Sequence, residues 1–362
     1  MFEADSTRRP DLGSMTIPEL EEFFLSIGEP KYRARQLFSA FSAGKQLSEI
    51  TNFSASLRAR LADCAEYRMP AIETKQVSHE DGTVKYLFRL PDGEHIESVL
   101  MRYEHGNTVC VSSQVGCRMG CAFCASTIGG KVRDLTASEI CGQVAAAGRD
   151  CGERIGGVVM MGIGEPLDNL PNVLRFLRLV NDPAGLNIGY RHISLSTCGV
   201  ADKIPELKQA NLPITLSISL HASSDRARSA IMPINRKFPL DTLLSACRDY
   251  YDATMRRISF EYTMIEEKND RPEDAARLCT LLRRYFPAGT PLHVNLIRLN
   301  PVTERGFRPP DDRRAFAFRQ ELERLGINAT VRRRLGRDID AACGQLRRNR
   351  EVPQGTEPSE DA

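Results

Sequence analysis

The sequence lacks the features that would place the chain in or across a membrane. It contains no run of about 18 apolar residues, which is the length that a helix needs to span a bilayer. Its first segment, MFEADSTRRPDLG, is polar and has no apolar core of the kind found in signal peptides. We therefore expect a cytoplasmic protein with no membrane partner.

A strong net charge is also absent, because 49 Lys and Arg residues nearly balance 47 Asp and Glu residues. Proteins that bind nucleic acids often carry a bulk positive charge, whereas the formal net charge here is only +2. Any contact with a nucleic acid must therefore come from local patches of basic residues. The chain has 362 residues, which is enough for one large domain and a small one.

Cysteine is abundant by contrast, with 11 residues, and in a cytoplasmic chain this number indicates metal or redox chemistry. The clearest group is Cys117, Cys121 and Cys124, in the spacing C-x3-C-x2-C. Three thiolates on one loop can each bind one iron of a [4Fe–4S] cluster, which leaves the fourth iron open to a ligand. A structural zinc site is the weaker alternative, because such sites usually use two separated cysteine pairs and no second pair is present.

The pattern of apolar residues predicts an α/β fold with a partial (β/α)6 barrel, preceded by a small N-terminal α+β accessory domain. Six predicted strands alternate with helical patterns, at 109–113, 157–161, 192–197, 214–220, 258–264 and 293–299. Helical patterns before residue 64 and strand patterns from residue 70 predict the accessory domain. We place this domain at 1–95, the barrel at 96–346 and a polar, disordered tail at 347–362.

Several functional side chains are predicted at the carboxyl ends of these strands, where barrels bind their ligands. Gly164 and Glu165 belong to a glycine-rich turn that follows the strand at 157–161. The other residues that close a strand are Ser196, Ser219, Leu220, His221 and Asn300. Each could instead cap the next helix, but as a set on the rim that carries the cysteine triplet they predict a ligand pocket.

One more cysteine, Cys343, lies near the end of the chain between two alanines and a glycine. Arginines precede and follow it, which favours a reactive thiolate or a patch that binds phosphates. A buried, unreactive cysteine beside a solvated basic surface is the alternative.

Taken together, these segments resemble the bacterial dual-specificity 23S rRNA and tRNA adenine methyltransferases of the RlmN type, which belong to the radical SAM superfamily. The similarity extends over nearly the whole chain. Besides the triplet, the matching segments are YRARQLF at 32–38, CVSSQVGC at 110–117, MGIGEP at 161–166, ST at 196–197, SLH at 219–221, MPIN at 232–235, HVNLI at 293–297, NP at 300–301 and DIDAACGQL at 338–346. The resemblance implies one [4Fe–4S] cluster whose open iron binds S-adenosylmethionine (SAM), with the residues of the rim around it.

The resemblance also implies roles for three residues outside this rim. Cys343 carries the methyl group as S-methylcysteine, Cys110 later forms a transient disulfide with it, and Glu97 is the proton acceptor. Two SAM molecules are used per turnover, because one methylates Cys343 and the other yields a 5′-deoxyadenosyl radical. The target carbon, C2 of adenine, is electron-poor, so the carbon is attacked by a radical and an RNA–protein adduct forms. Taken singly, Cys110 could be an ordinary strand residue and Glu97 an exposed carboxylate.

The implied substrates are an adenosine in the peptidyl transferase centre of 23S rRNA and one in the anticodon loop of tRNA. The resemblance further implies a monomer and a reducing partner such as flavodoxin. Lys31, Arg33 and Arg35 in the accessory domain are expected to hold RNA or else to be merely solvated. Two alternatives stay open, a Cfr-type C8 methyltransferase of 23S rRNA and a non-catalytic iron–sulfur RNA-binding protein. The Gly164-Glu165-Pro segment favours C2, and a non-catalytic protein would need neither Cys343 nor the SAM rim.

Overall fold

A single sheet of ten strands organises the protein, whose computed structural model describes residues 9–339. The order of the strands in this sheet is β1-β2-β3-β4-β7-β8-β9-β10-β11-β12, and β5 and β6 form a separate hairpin. The bounds of the strands are β1 Ala71–Val77, β2 Val84–Arg89, β3 His95–Tyr103, β4 Gly106–Cys110, β5 Gln114–Gly116, β6 Lys131–Asp134, β7 Ile155–Met160, β8 Ile193–Thr197, β9 Thr215–Ser219, β10 Ile258–Met264, β11 Leu292–Arg298 and β12 Asn328–Val331.

The parallel half of the sheet confirms the predicted α/β barrel. Strand β4 pairs with β7, and each strand from β7 to β12 then pairs with the next, always in the parallel direction. The sequence pattern does not predict strand β12, because this strand has only four residues and a single buried apolar side chain, Ala329. Within residues 9–339, β1 and β12 are the two free edges of the sheet, so the barrel is partial.

Ten α-helices surround the sheet in the described part of the chain. They are α1 Ile17–Ser26, α2 Tyr32–Ser42, α3 Ala55–Cys64, α4 Ala137–Cys151, α5 Leu170–Asn181, α6 Ile204–Gln209, α7 Asp225–Ile231, α8 Leu240–Thr254, α9 Pro272–Tyr285 and α10 Asp312–Arg324. Helix α8 buries the apolar face that its sequence predicts, with Leu243, Leu244 and Cys247 fully covered. No helix of residues 9–339 is long and apolar enough to cross a bilayer.

The N-terminal helices are fixed to the barrel by polar contacts, which are buried around Asp11 and partly exposed around Arg175. The hydroxyl of Ser138, at the start of α4, donates to Asp11 Oδ2 at 2.6 Å, and its backbone N–H donates to Ser14 Oγ at 2.9 Å. Arg175 on α5 donates to Glu19 on α1 at 2.7 Å. Burial raises the pKa of Asp11, which identifies this contact as one shielded from water.

Strands β1 to β3 extend the barrel sheet as an antiparallel meander. Strand β2 pairs with β1 on one side and β3 on the other, and β3 pairs with β4, the first parallel strand. The boundary predicted after residue 95 falls at the first residue of β3, a strand that pairs with β2 and β4 in one sheet, so a division of the chain there stays a prediction. The predicted tail at 347–362 and Cys343 lie outside the described residues.

The β5–β6 hairpin holds both ends of the loop that carries the cysteine triplet. Gly116 ends β5 directly before Cys117, and the Cys117 N–H donates to the Gly130 carbonyl at 2.9 Å. Gly116 has a φ of 73°, and a Cβ added there would lie 2.0 Å from the Gly130 oxygen. A side chain at this position would therefore push the two ends of the cysteine loop apart.

We predict that Gly116→Ala lowers the free energy of unfolding by at least about 1 kcal/mol more than Gly130→Ala does, because of the added overlap. Gly130 is a matched control, since its φ is 74° and an added Cβ would meet no atom within 4 Å. Urea unfolding of both variants measures the difference. Equal losses of stability would contradict the close approach of the two backbone segments.

Candidate active site

One cavity lies at the carboxyl ends of the parallel strands, between the barrel and the cysteine loop, and has a volume of about 220 Å³. Strand β8 contributes Ser196 to its wall, β9 contributes Ser219 and β10 contributes Thr263. All three cysteines of the triplet also line it. The predicted rim and the predicted cluster loop are thus brought together at the end of the barrel where ligands bind.

The cysteine loop is held against the barrel by a short series of hydrogen bonds. Thr127 Oγ1 donates to the carbonyl of Cys124 at 3.0 Å, and Arg305 donates to that hydroxyl at 3.0 Å. The N–H of Ala122 donates to the carbonyl of Ile231 at the end of α7, at 2.8 Å. These bonds fix the loop between residues that come from distant parts of the chain.

The thiols of this loop suit a positively charged metal group. Burial raises the pKa of Cys117 to about 12, and it raises the pKa of Cys121 as well. Neighbouring thiolates of the triplet raise both pKa values further. Bound iron would supply the positive charge that keeps such thiols deprotonated.

The donors of the triplet fit a [4Fe–4S] cluster, which takes each thiolate on a different iron. All three cysteines line one cavity, whereas a structural zinc site would usually use a second pair of ligands as well. Among residues 9–339, no group of three or more His, Cys, Asp or Glu residues is arranged to hold a single metal ion.

The glycine-rich turn after β7 brings Glu165 to the wall of the cavity. Gly164 has a φ of 109° and packs so closely on Gln114 that an added Cβ would lie 2.6 Å from its side chain. The Glu165 carboxylate is buried and accepts from the N–H of Cys198 at 2.7 Å and of Leu167 at 2.9 Å. Burial raises the pKa of Glu165 despite these bonds. This carboxylate therefore also fixes the end of β8, a structural role that the sequence does not reveal.

His221 is held in place by its backbone conformation and by contacts with two neighbouring residues. It lines the cavity, is buried and has a φ of 58°. Its Nδ1 accepts from the N–H of Thr263 at 2.9 Å, so the neutral ring carries its proton on Nε2. The ring of Phe123, from the cysteine loop, meets it edge-on at 5.0 Å between centroids. Burial lowers the pKa of His221 to about 3, so the ring stays neutral.

The other two predicted rim residues do not line the cavity. Leu220 is fully buried behind it, and its N–H donates to the carbonyl of Glu261 at 3.0 Å. Asn300 is exposed, two residues beyond the end of β11. Their roles toward SAM stay predictions.

The sequence patterns do not predict the roles of two buried charged residues near the cavity. Glu261 on β10 lines the cavity and accepts from Asn295 at 2.7 Å and from Ser259 at 3.0 Å. Arg228 on α7 is fully buried and donates to the carbonyls of Cys198 at 2.7 Å and Leu220 at 3.1 Å. The only signal for Glu261 is a carboxylate within an apolar strand, and α7 is too short for periodicity to mark Arg228 as buried.

Glu97 lies on β3, the last strand of the antiparallel meander, and Cys110 ends β4, the neighbouring first strand of the barrel. Glu97 is buried, which excludes the exposed carboxylate that was its alternative, and Lys85 Nζ lies 3.3 Å from its Oε2. Cys110 is buried in a small cluster with Val99 and Met101, against which Leu335 packs. Leu335 precedes Cys343 by eight residues.

The last described residue, 339, precedes Cys343 by four residues. The residues just before it form hydrogen bonds with the turn between β1 and β2. Asp338 accepts from the hydroxyl of Ser78 at 2.6 Å and from the N–H of His79 at 2.8 Å. The N–H of Gly336 donates to Asp81 at 2.9 Å. The segment that leads to Cys343 is thus anchored on the meander that carries Glu97, and the last strand of this meander, β3, pairs with the strand of Cys110.

Two family models match the chain. One, described as the radical SAM superfamily, matches residues 111–279, which include the cysteine loop and β7 to β10. The other, described as the ribosomal RNA large subunit methyltransferase N-terminal domain, matches residues 10–67, which include α1 to α3.

Individual proteins are similar over nearly the whole length. A protein of Alkaliphilus metalliredigens named probable dual-specificity RNA methyltransferase RlmN is 50% identical over 339 residues, 93% of this chain and 95% of that protein. One of the same name from Symbiobacterium thermophilum is 50% identical over 95% of this chain and 92% of its own. The crystal structure of a radical SAM methyltransferase from Sphaerobacter thermophilus aligns with a TM-score of 0.87 and 42% identity, and the alignment covers 93% of this chain and 98% of that one.

We predict that His221→Asn makes stability less sensitive to acid. The ordinary pKa of 6.5 applies in the unfolded chain, which therefore binds a proton below that pH while folded His221, with a pKa of about 3, does not. Stability is retained above pH 6.5 and falls as the pH drops, by up to about 1.4 kcal/mol per pH unit from this group. Asn tolerates the positive φ and keeps an oxygen for the Thr263 N–H. Urea unfolding between about pH 7 and pH 5 should give a shallower slope for the variant, and an unchanged slope would contradict a neutral buried His221.

Proposed function

Because the chain belongs to the RlmN family of dual-specificity RNA methyltransferases, we propose that it methylates C2 of an adenosine in 23S rRNA and in tRNA. It is a radical SAM enzyme that uses a [4Fe–4S] cluster and SAM. The observation that supports this proposal best is the placement of the site. The three cysteines and five of the seven predicted rim residues line one cavity, and Leu335, in the segment that leads to Cys343, packs on the cluster that contains Cys110.

The proposed targets are an adenosine in the peptidyl transferase centre and one in the anticodon loop. A target base must leave its stack to enter the cavity, at a cost of about a few kcal/mol. Lys31 and Arg35 are exposed in the N-terminal helical segment, where their positive charges can contact phosphates. Arg33 is less available, because it donates to the carbonyl of Asn52 at 2.8 Å. The Gly164-Glu165-Pro segment and the names of the relatives favour C2 over C8.

When bound, the cluster supplies the electron that cleaves SAM to a 5′-deoxyadenosyl radical. In our proposal Cys343 first takes a methyl group from one SAM as a thiolate nucleophile. The radical obtained from the second SAM removes one hydrogen from that methyl group, and the resulting carbon radical adds to C2 of the adenine. Glu97 accepts the proton from C2 once the methyl carbon has bonded to it. Cys110, as a thiolate, then attacks the sulfur of Cys343 and forms a disulfide with it, while the carbon that leaves the sulfur takes up a proton and the methylated RNA is released.

The surroundings of Cys110 support its part in this sequence. It is a buried residue of β4, and the residue that packs on its cluster, Leu335, belongs to the segment that continues to Cys343. Only eight residues of chain therefore separate Leu335, which packs on the cluster of Cys110, from Cys343. We further propose that the enzyme acts as a cytoplasmic monomer and receives electrons from a reducing partner such as flavodoxin.

We predict that the transferred methyl group exchanges one hydrogen. With SAM labelled as CD3 and used first to methylate Cys343, the RNA product should carry CD2H, because one deuterium is removed while the methyl group is on the sulfur. Mass spectrometry of the nucleosides measures the label.

Cys343→Ala should lose all transfer to RNA. Cys64→Ala is its matched control, because Cys64 is a partly buried residue at the end of α3 with no part in the proposed route. An intact CD3 group in the product, or transfer by Cys343→Ala, would overturn the proposed route.

A further inference from the structure

A buried ion pair lies next to the proposed site of proton removal. Lys85 Nζ is 3.3 Å from Glu97 Oε2, and the two side chains are only 1% and 2% exposed. A lysine this deeply buried is unusual and is normally paired. We propose that Lys85 is a positioning residue, which keeps Glu97 ionised and oriented to accept the C2 proton. This inference rests on the role proposed above for Glu97.

The register of the strands places this pair on the face of the sheet where the reaction is proposed. Val99 on β3 lies opposite Lys85 on β2 and opposite Cys110 on β4. Directly opposite residues share a face, and so do alternate residues of one strand, which adds Glu97 to the same face. Lys85, Glu97 and Cys110 therefore point to one side of the sheet.

That side of the sheet is the one covered by the chain that leads to Cys343. Leu335 packs on Val99 and Cys110, and Met161 at the end of β7 packs on the same cluster. Met161 also lines the cavity that holds the cysteine triplet. The face with the ion pair is thus continuous with the proposed active site.

Electrostatics explain why Glu97 needs such a partner. A carboxylate with almost no exposure to water loses most of its hydration, so without a nearby cation its ionised form is strongly disfavoured. A protonated carboxyl group cannot accept a proton. The ammonium group of Lys85 compensates for the lost hydration and restricts the rotation of the carboxylate through a charged contact.

Addition of the carbon radical leaves the adduct with one unpaired electron, which would return to the cluster that supplied the electron for cleavage of SAM. The C2–H bond of the adduct then breaks, its electron pair stays with the adenine ring, and the proton goes to the carboxylate of Glu97. The Lys85 ammonium group keeps its proton, so the step requires no reactant beyond those of the proposed function. Lys85 should therefore affect the decay of the adduct and leave the earlier steps, methylation of Cys343 and cleavage of SAM, unchanged.

The experiment compares Lys85→Met with Glu97→Gln in the complete enzyme, with its cluster and with Cys343 methylated beforehand. Single turnovers use RNA with hydrogen or deuterium at C2 of the target adenosine, and a denaturing gel measures the covalent adduct. Both variants should form the adduct at the rate of the unaltered enzyme. Its decay should slow by at least about tenfold, with a larger isotope effect from C2 deuterium. Lys75→Met is the matched control, because Lys75 on β1 pairs with Asp150 at 2.7 Å on the surface, and it should behave as the unaltered enzyme.

Each contrary outcome has a separate meaning. If Glu97→Gln stalls at the adduct and Lys85→Met does not, the inference about Lys85 is overturned while the role of Glu97 stands. If Glu97→Gln decays normally, the role of Glu97 in the proposed function is overturned. If Lys85→Met slows cleavage of SAM and formation of the adduct as much as decay of the adduct, Lys85 only stabilises the fold and the inference is overturned.

A double variant covers the case in which Lys85→Met fails to fold because the Glu97 carboxylate is left buried without the ammonium group. Lys85→Met with Glu97→Gln removes both charges, so neither is left buried without the other. If Lys85 acts only through Glu97, the double variant should release RNA no more slowly than Glu97→Gln alone. A further loss of about tenfold in the double variant would overturn the inference.

Discussion

The backbone of Cys198 holds together the strand ends on which the cavity depends. Its N–H donates to the buried Glu165 after β7, and its carbonyl accepts from the buried Arg228, which also donates to the carbonyl of Ser219 at 3.0 Å. The ends of β7, β8 and β9 are thereby tied through two charged side chains shielded from water. Removing one partner of such a contact would leave buried polar groups unsatisfied, at a cost of about 3 kcal/mol or more. The contacts of these two side chains therefore set the distances between the ends of the three strands.

The cysteine loop and the meander complete the site from opposite sides. The β5–β6 hairpin closes the loop, and an ion pair of Lys131 with Asp168, at 3.0 Å, joins that hairpin to the turn after β7. On the other side, the sheet continues without interruption from β7 through β4 to β3 and β2. Ser196 and Ser219, which are proposed to bind SAM, and Glu97 and Cys110, which are proposed for release of RNA, thus belong to one continuous sheet, so their separation is fixed by the pairing of strands.

How much the sequence predicts depends on whether the determining contact is local. The strand 258–264 is predicted with its observed bounds, because a continuous apolar run between polar segments is a local signal. The spacing of the cysteine triplet is local as well, and the structure brings all three thiols to one cavity. Glu261 and Lys85 are missed as partners in the site, because Asn295 and Glu97 reach them from neighbouring strands. The sequence motif predicts Glu165 as a site residue, but no sequence pattern indicates its hydrogen bond to Cys198, 33 residues later.

The central claim is that this cavity directs a carbon radical to C2 of adenine in RNA. Mass spectrometry of the nucleosides, after the enzyme has acted on 23S rRNA and tRNA with SAM and a reductant, tests it most directly. The account predicts 2-methyladenosine in both RNAs, separated from its isomers by comparison with synthetic standards. A product that contains only 8-methyladenosine, or no methylated adenosine from an enzyme with a full complement of cluster, would contradict it.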